Sequence, residues 1–448
     1  MPEVGRIEAL AQRFRSGESG PEQSADDCLI RADQTSARAV FTQLTPALAH
    51  RQAGESAWRF AQGRPLGLLD GIPVTWKDLF AMAGTPTTCG SLVTDPAPAL
   101  ENAACVARLH AAGAVSIGKT NLSEFAFSGL GMNPHFGTPV QRAPRTGARH
   151  LVGGSSSGAA AAMRLGIGCV ALGTDTSGSI RVPAAYSGLV GFRPSTGRYP
   201  DAGVARLAPS LDTVGIIAAT VADVLCVDTV LRNSTATAPP PAPPMFVLVD
   251  NFCDDQVQPE VRQNCLRLLD KLSNAGLPCA RQHVDILDAV VRAFERHGTL
   301  VAAEAGHELA RYTAPELLAR IDPFVRRRLA AARAMPAHQL VALLQLRKNL
   351  MQSLARQPAN LVYVFPTTPT SAPALSALRT AVQIATANSA ALRHTMPASF
   401  LDMPGMTLPS GIDDAGLPTS VMLSSQRGSD EMLLSAARQL EAMNFSGP

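Results

Sequence analysis

The residues best suited to chemistry lie between Gly153 and Arg181. Gly153-Gly154-Ser155-Ser156-Ser157-Gly158 opens that segment, an alanine-rich and then an apolar stretch follow, and Gly173-Thr174-Asp175-Thr176-Ser177-Gly178-Ser179-Ile180-Arg181 closes it. Glycine-rich loops let the backbone approach a ligand closely. A serine hydroxyl attacks a carbonyl only when a base takes its proton. None of the nine histidines sits in a recognisable nucleophile motif, and the Ser155–Gly158 run lacks the strand-to-helix register of a Gly-x-Ser-x-Gly elbow. A lysine can replace histidine if its amine is neutral. In water only about one lysine in a few thousand is neutral at pH 7, but burial among apolar groups lowers the pKa by several units. Lys77 follows Ile72, Pro73, Val74 and Trp76, a stretch expected to be buried. Each feature alone has a plainer reading. The first loop is a flexible turn, the second a polar turn in which Asp175 and Arg181 pair, and Lys77 a snorkelling or Asp78-paired side chain.

The elements that must position these loops alternate between helix and short apolar strand, which gives an α/β class. Residues 5–62 read as helices, with a cap at Ser24-Ala25-Asp26-Asp27. Strands are expected at 71–76, 114–117, 169–172, 245–249, 361–365, 407–409 and 421–423. Helices are expected at 102–112, 158–166, 258–275 and 284–312. The proline-rich stretch 236–244 is either a linker or a surface loop of one large domain, because strands return after it to complete a sheet. The expected organisation is one domain over 1–448, with N-terminal helices over 1–62 and a peripheral subdomain over 236–360.

Among 448 residues, 39 are Lys or Arg and 36 are Asp or Glu, a formal net charge of +3 that argues against a nucleic-acid binder held by counterion release. Apolar residues make up 46%, enough for a large core and too many for a disordered chain. Eight cysteines, at 28, 89, 105, 169, 226, 253, 265 and 279, form no C-x-x-C pair, so buried free thiols in a reducing compartment are expected and no metal site is. No apolar run is long enough to cross a membrane, and no signal peptide is visible. A cytoplasmic protein without cofactor follows. Gly113-Ala114-Val115-Ser116-Ile117-Gly118-Lys119-Thr120 matches a phosphate-loop pattern by letter. Its order is wrong, because a helix precedes Gly113 and the apolar "loop" reads as a strand ending in a turn at Gly118.

Gly71-Ile72-Pro73-Val74-Thr75-Trp76-Lys77-Asp78, Gly118-Lys119-Thr120-Asn121, Gly153-Gly154-Ser155-Ser156, Gly173 to Pro183, Pro366-Thr367-Thr368-Pro369 and Leu408-Pro409-Ser410-Gly411 occur in one order along the chain. From about residue 60 to the end, the sequence resembles the amidase signature family. The resemblance implies a large mixed central β-sheet covered on both faces by helices, and a Ser–cisSer–Lys triad. Ser179 would be the nucleophile, Ser155 beside a cis peptide the proton shuttle, and Lys77 the base. Backbone N–H groups of Thr176, Ser177, Gly178 and Ser179 would form the oxyanion hole. The substrate loop would lie within 125–136, with Gly129, Leu130 and Met132 against the substrate, and Phe400, Leu401, Asp402 and Met403 on the opposite wall. Two departures stand out. Ser177-Gly178 replaces the usual Gly-Gly, and Trp76 replaces a small or β-branched residue and is expected to shield Lys77. Asp175 and Arg181 are assigned to holding the loop. Arg393 and His394 are read as a surface helix end rather than a carboxylate site, and Arg326-Arg327-Arg328 as a solvated helix face.

Three functions compete. The first is a free-standing amidohydrolase that acts on a small carboxamide through an acyl-enzyme and releases ammonia or an amine. The second is the glutaminase-type component of a tRNA-dependent amidotransferase, which needs a partner chain. The third is a catalytically silent binding protein on the same fold, against which the intact Lys77, Ser155 and Ser179 set argues. A homodimer is compatible with the first.

Overall fold

The computed structural model describes residues 5–34, 37–232 and 243–443. Thirteen strands occur among them: β1 Phe41–Leu44, β2 Pro73–Lys77, β3 Val115–Thr120, β4 Val140–Arg142, β5 Arg149–Leu151, β6 Val170–Asp175, β7 Val190–Arg193, β8 Thr213–Ala218, β9 Met245–Val249, β10 Cys279–Gln282, β11 Leu361–Pro366, β12 Gly405–Ile412 and β13 Pro418–Ser424. Eleven form one mixed sheet in the order β1-β3-β2-β6-β8-β7-β12-β13-β11-β9-β10, and β4 pairs with β5 as a separate hairpin. At its centre β2 runs parallel to both β3 and β6, and β6 runs antiparallel to β8. Every residue of β2, β3, β6, β8 and β11 is buried. A strand buried on both faces needs cover above and below, and helices supply it on each side.

Alternation along β11 separates the two cores. Val362 and Val364 join one cluster with Trp76, Phe192 and Phe246, while Tyr363 and Phe365 join the other with Phe125, Phe127 and Phe400. The large mixed sheet covered by helices is therefore as expected. The strands after the proline-rich stretch, β9 to β13, continue the same sheet. Most of that stretch, residues 236–242, lies outside the described residues.

Several local expectations need correction. The second helix spans Pro21–Asp33, with Pro21 in its first turn after Gly20, so Ser24–Asp27 lies inside the helix and does not cap it. The segment read as all helix contains β1, which pairs antiparallel with β3. Gly118 is not a turn but a residue of β3, where a Cβ would stand 2.6 Å from the Gln43 carbonyl oxygen, so glycine there admits the neighbouring strand. The helix expected over 284–312 breaks at Gly298, whose φ is 76°. Thr299 caps a new helix, Leu300–Glu308, by accepting the Ala302 N–H.

Candidate active site

β2 ends on Lys77, and β6 runs to Asp175 just before the Thr176–Ser179 turn. These strands are parallel neighbours, so both deliver their C-terminal ends to one side of the sheet. The helix Ser157–Arg164 starts there as well, immediately after Ser155 and Ser156. Lys77 is fully buried. Its Nζ donates to Ser155 Oγ at 2.7 Å and to Thr174 Oγ1 at 2.9 Å. Asp78 is not its partner. That carboxylate faces Lys119 at 2.7 Å and accepts from Thr88, while Lys119 also donates to the Pro86 carbonyl. Burial pulls the Lys77 pKa down to about 7, against the opposing pull of Asp212, Asp175 and Cys89.

The Gly154–Ser155 peptide is cis. The Ser156 N–H donates to the Ser179 carbonyl at 3.2 Å and so joins the two serine loops. Asp175 organises the second loop from beneath. It accepts from the Gly178 N–H at 2.7 Å, the Ile180 N–H at 3.1 Å, and Arg181 Nε and Nη2 at 3.0 and 2.9 Å. Burial alone would raise the Asp175 pKa, but Arg181, Arg193 and the N–H donors outweigh it and hold it at about 2. Arg181 Nη2 continues to Ser399 Oγ at 2.5 Å. The loop-holding pair expected from the sequence is therefore present as a buried network.

That network corrects one expectation. The Gly178 N–H is committed to Asp175 and is not free to face an oxyanion. The N–H groups of Thr176, Ser177 and Ser179 meet no acceptor among the described residues. Thr176 Oγ1 donates to Asp212 Oδ1, and Thr395 Oγ1 donates to the Ser177 carbonyl at 2.6 Å, so the turn is pinned from both flanks.

Comparison with known proteins places the chain. A family model described as Amidase matches residues 25–434. The chain belongs to the amidase family. A relative from Comamonas testosteroni, 2-amino-5-chloromuconic acid deaminase, is 34% identical over 398 residues, which cover 86% of this chain and 84% of the relative. The A component of the glutamyl-tRNA(Gln) amidotransferase of Cyanothece sp. is 30% identical, with 94% of each chain covered. A solved structure described as a crystal structure of amidase superposes with a TM-score of 0.86 at 29% identity, covering 98% of this chain and 99% of that one.

In the amidase, the 129–132 turn lies directly against the Ser155 loop. The Gly154 N–H donates to the Gly129 carbonyl at 2.9 Å, and a Cβ on Gly131 would stand 2.2 Å from the Gly153 carbonyl oxygen. Leu130 is buried beside Val182 and Leu392, with Met132 packed on the same cluster. The expected opposite wall is different. Asp402 is buried and spends Oδ1 on Arg193 and Thr196 and Oδ2 on Arg427, so it holds chain segments together and offers no free oxygen to a substrate. Phe400 packs edge-to-face on Phe294, with ring centres 5.2 Å apart, inside the second core. Trp76 does not cover Lys77. Strand alternation turns it to the other face, where its Nε1 donates to Ser116 Oγ at 2.8 Å and its ring meets Phe80.

Two further readings change. His394 is buried, not at the surface. It is stacked on Phe252 and bonded through Nδ1 to the Pro366 carbonyl, while Arg393 pairs with Asp254 at 2.5 Å. Burial lowers the His394 pKa to about 4. Arg328 leaves the solvated face of its helix. Its guanidinium lies 3.9 Å above the Phe127 ring and donates to the Phe127 carbonyl at 2.6 Å.

Three residues of the amidase site were not foreseen. Thr174 shares the Lys77 amine, Asp212 orients Thr176, and Asn388 Oδ1 accepts the Gly129 N–H at 2.8 Å. Thr174 had a signal, since it sits in the same Gly-rich segment. Asn388 is 259 residues from Gly129, and no local pattern links them. Among the described residues no cluster of three His, Cys, Asp or Glu could hold a metal, and no helix is long and apolar enough to cross a membrane.

Proposed function

We propose that the amidase hydrolyses a small carboxamide through an acyl-enzyme on Ser179. Lys77, neutral in a useful fraction near pH 7, accepts the Ser155 hydroxyl proton. Ser155 in turn accepts the proton of Ser179, whose oxygen attacks the amide carbonyl. The N–H groups of Thr176, Ser177 and Ser179 stabilise the oxyanion, each worth about 3 kcal/mol in such a site. The relay then runs in reverse. Lys77 returns its proton through Ser155 to the leaving nitrogen, the C–N bond breaks, and ammonia or an amine departs. Water attacks the ester, its proton enters the same relay, and Ser179 is restored as the carboxylic acid product leaves.

The observation that carries this reading is the 2.7 Å contact of Lys77 Nζ with Ser155 Oγ in a fully buried setting. Gly129, Leu130 and Met132 are proposed to border the acyl group, since their turn packs on the Ser155 loop. The second reading, a glutaminase that needs a partner chain, is favoured by the 30% identity to an amidotransferase component. One experiment tests both. The purified chain is treated with a fluorophosphonate, and peptide mass mapping locates the adduct. Ammonia release is then measured on aliphatic, aryl, urea-type and amino-acid amides. Labelling of Ser179 with turnover by the chain alone is expected. Turnover of glutamine only when an amidotransferase partner is added would select the second reading. Absence of the adduct would return the silent binding protein to consideration.

A further inference from the structure

A cavity opens on the far side of the segment that carries Val152, outside the Lys77, Ser155 and Ser179 cluster. It measures about 690 Å³ and opens between the β4–β5 hairpin, the segment around Arg38 and the C-terminal end of the Ser157–Arg164 helix. Neither Lys77, Ser155 nor Ser179 lines it. Its size falls within the range of about 300–1,000 Å³ typical of small-molecule sites.

Among the described residues four arginines line the cavity, Arg38, Arg142, Arg149 and Arg164, and no aspartate or glutamate does. Arg142 donates to the Gly147 carbonyl at 3.1 Å and Arg164 to the Ser187 carbonyl at 3.1 Å, so the bonds they make go to neutral oxygens. Arg142 and Arg149 are directly paired across the hairpin. Side chains so paired leave the same face with their Cβ atoms about 5 Å apart, and like charges in that position destabilise a hairpin. A bound anion reverses the sign of that term. The other lining groups are mostly apolar, Val152 and Leu165 among them, and suit an organic moiety rather than a bare ion. Guanidinium groups match phosphate oxygens with paired hydrogen bonds.

We infer that this cavity binds a small phosphorylated organic anion, with the phosphate held between Arg142 and Arg149 and the organic part against Val152 and Leu165. The site is independent of the amide chemistry, so the two readings stand or fall separately.

Calorimetric titration of the full-length protein at low salt tests the inference, with AMP, adenosine and inorganic phosphate as probes. AMP is expected to bind, inorganic phosphate to bind more weakly, and adenosine not to bind. The Arg142→Gln/Arg149→Gln variant should lose at least about tenfold in AMP affinity, the equivalent of one charge-assisted contact. Its amide turnover should be unchanged, and without ligand it should melt no lower than the parent, since a like-charge pair has gone. Arg164→Gln supplies a second variant on a different element, with a similar loss expected. No AMP binding by the parent, or equal AMP affinity in parent and variants, would overturn the inference. Inorganic phosphate binding as tightly as AMP would overturn the role of the organic part.

Discussion

Lys77 Nζ lies 2.7 Å from Ser155 Oγ, and its other hydrogen bond goes to the Thr174 hydroxyl rather than to a carboxylate. An ammonium in a buried site normally recruits a carboxylate to offset its desolvation. Here the nearest acidic residue in sequence, Asp78, is taken by Lys119. The two lysines thus differ in setting, since Lys119 sits beside a carboxylate while Lys77 donates to two hydroxyls.

The first prediction concerns pH. Burial places the Lys77 pKa at about 7. In the proposed mechanism the neutral form is the base, so kcat/KM should rise with pH through about 7 and level off above it. A profile that stays flat from about pH 6 to 9 would remove Lys77 as the base. Lys77→Ala should lower turnover by about 10²–10⁴-fold, the range of a lost general base.

The same group has a stability consequence that extends to higher pH. The folded-state pKa lies below the unfolded one, so between about pH 7 and 10 the unfolded chain binds more protons and stability rises with pH. Below pH 7 a buried charge must be carried. Lys77→Met should therefore raise the melting temperature at pH 6 and flatten its pH dependence, by an amount on the order of 3 kcal/mol. Denaturant melts of parent and variant at pH 6 and 9 give the comparison. A variant less stable than the parent at pH 6 would mean that the Ser155 and Thr174 bonds outweigh the desolvation.

Much of this site was legible in the sequence because its parts lie in short, contiguous loops. Gly153–Ser157 and Gly173–Arg181 carry their own backbone freedom and hydroxyls, and Lys77 sits at the end of an apolar run that reads as a buried strand. The walls were less legible. Asp402 and Phe400 are close in sequence to groups that pack on the sheet, but whether a carboxylate meets substrate or Arg193 depends on chain 209 residues away. Trp76 cannot shield Lys77, since adjacency to Lys77 in sequence means opposition across a strand. β1 is not legible in the sequence because it is four residues long and partly buried throughout, without the alternation that marks a strand.

Gly178 gives the third prediction. Its φ is 136°, and a Cβ would stand 2.2 Å from Thr395 Oγ1. Gly178→Ala must therefore displace either the Thr395 side chain or the turn that carries the Thr176, Ser177 and Ser179 N–H groups. Loss of one aligned oxyanion donor costs about 10²–10³ in kcat. The expected result is a drop of that order with KM little changed and far-ultraviolet circular dichroism intact. Ser177→Gly, which removes a hydroxyl that meets no partner among the described residues, should by contrast leave kcat within about threefold. Similar losses in both variants would place the effect in general loosening of the loop.

Asp175 provides the last. It lies beneath the Thr176–Ser179 turn, fully buried, and accepts from Gly178, Ile180 and Arg181 at once. Asp175→Asn leaves Arg181 buried with its main counterion gone, a change that typically costs about 3–5 kcal/mol. Activity and melting temperature should fall together, whereas Ser179→Ala should abolish activity and leave the melting temperature where it was. The sign with pH is also fixed. Asp175 is held at about 2, below its ordinary value of 3.8, so its contribution is complete above about pH 4 and is lost as pH falls toward 2. The parent should therefore lose stability over that interval more steeply than Asp175→Asn, which has no proton to take up at this position. Parallel acid-denaturation curves for the two proteins would show that Arg181 is compensated by some other group, and the turn would then have to be held by Thr395 and Asp212 alone.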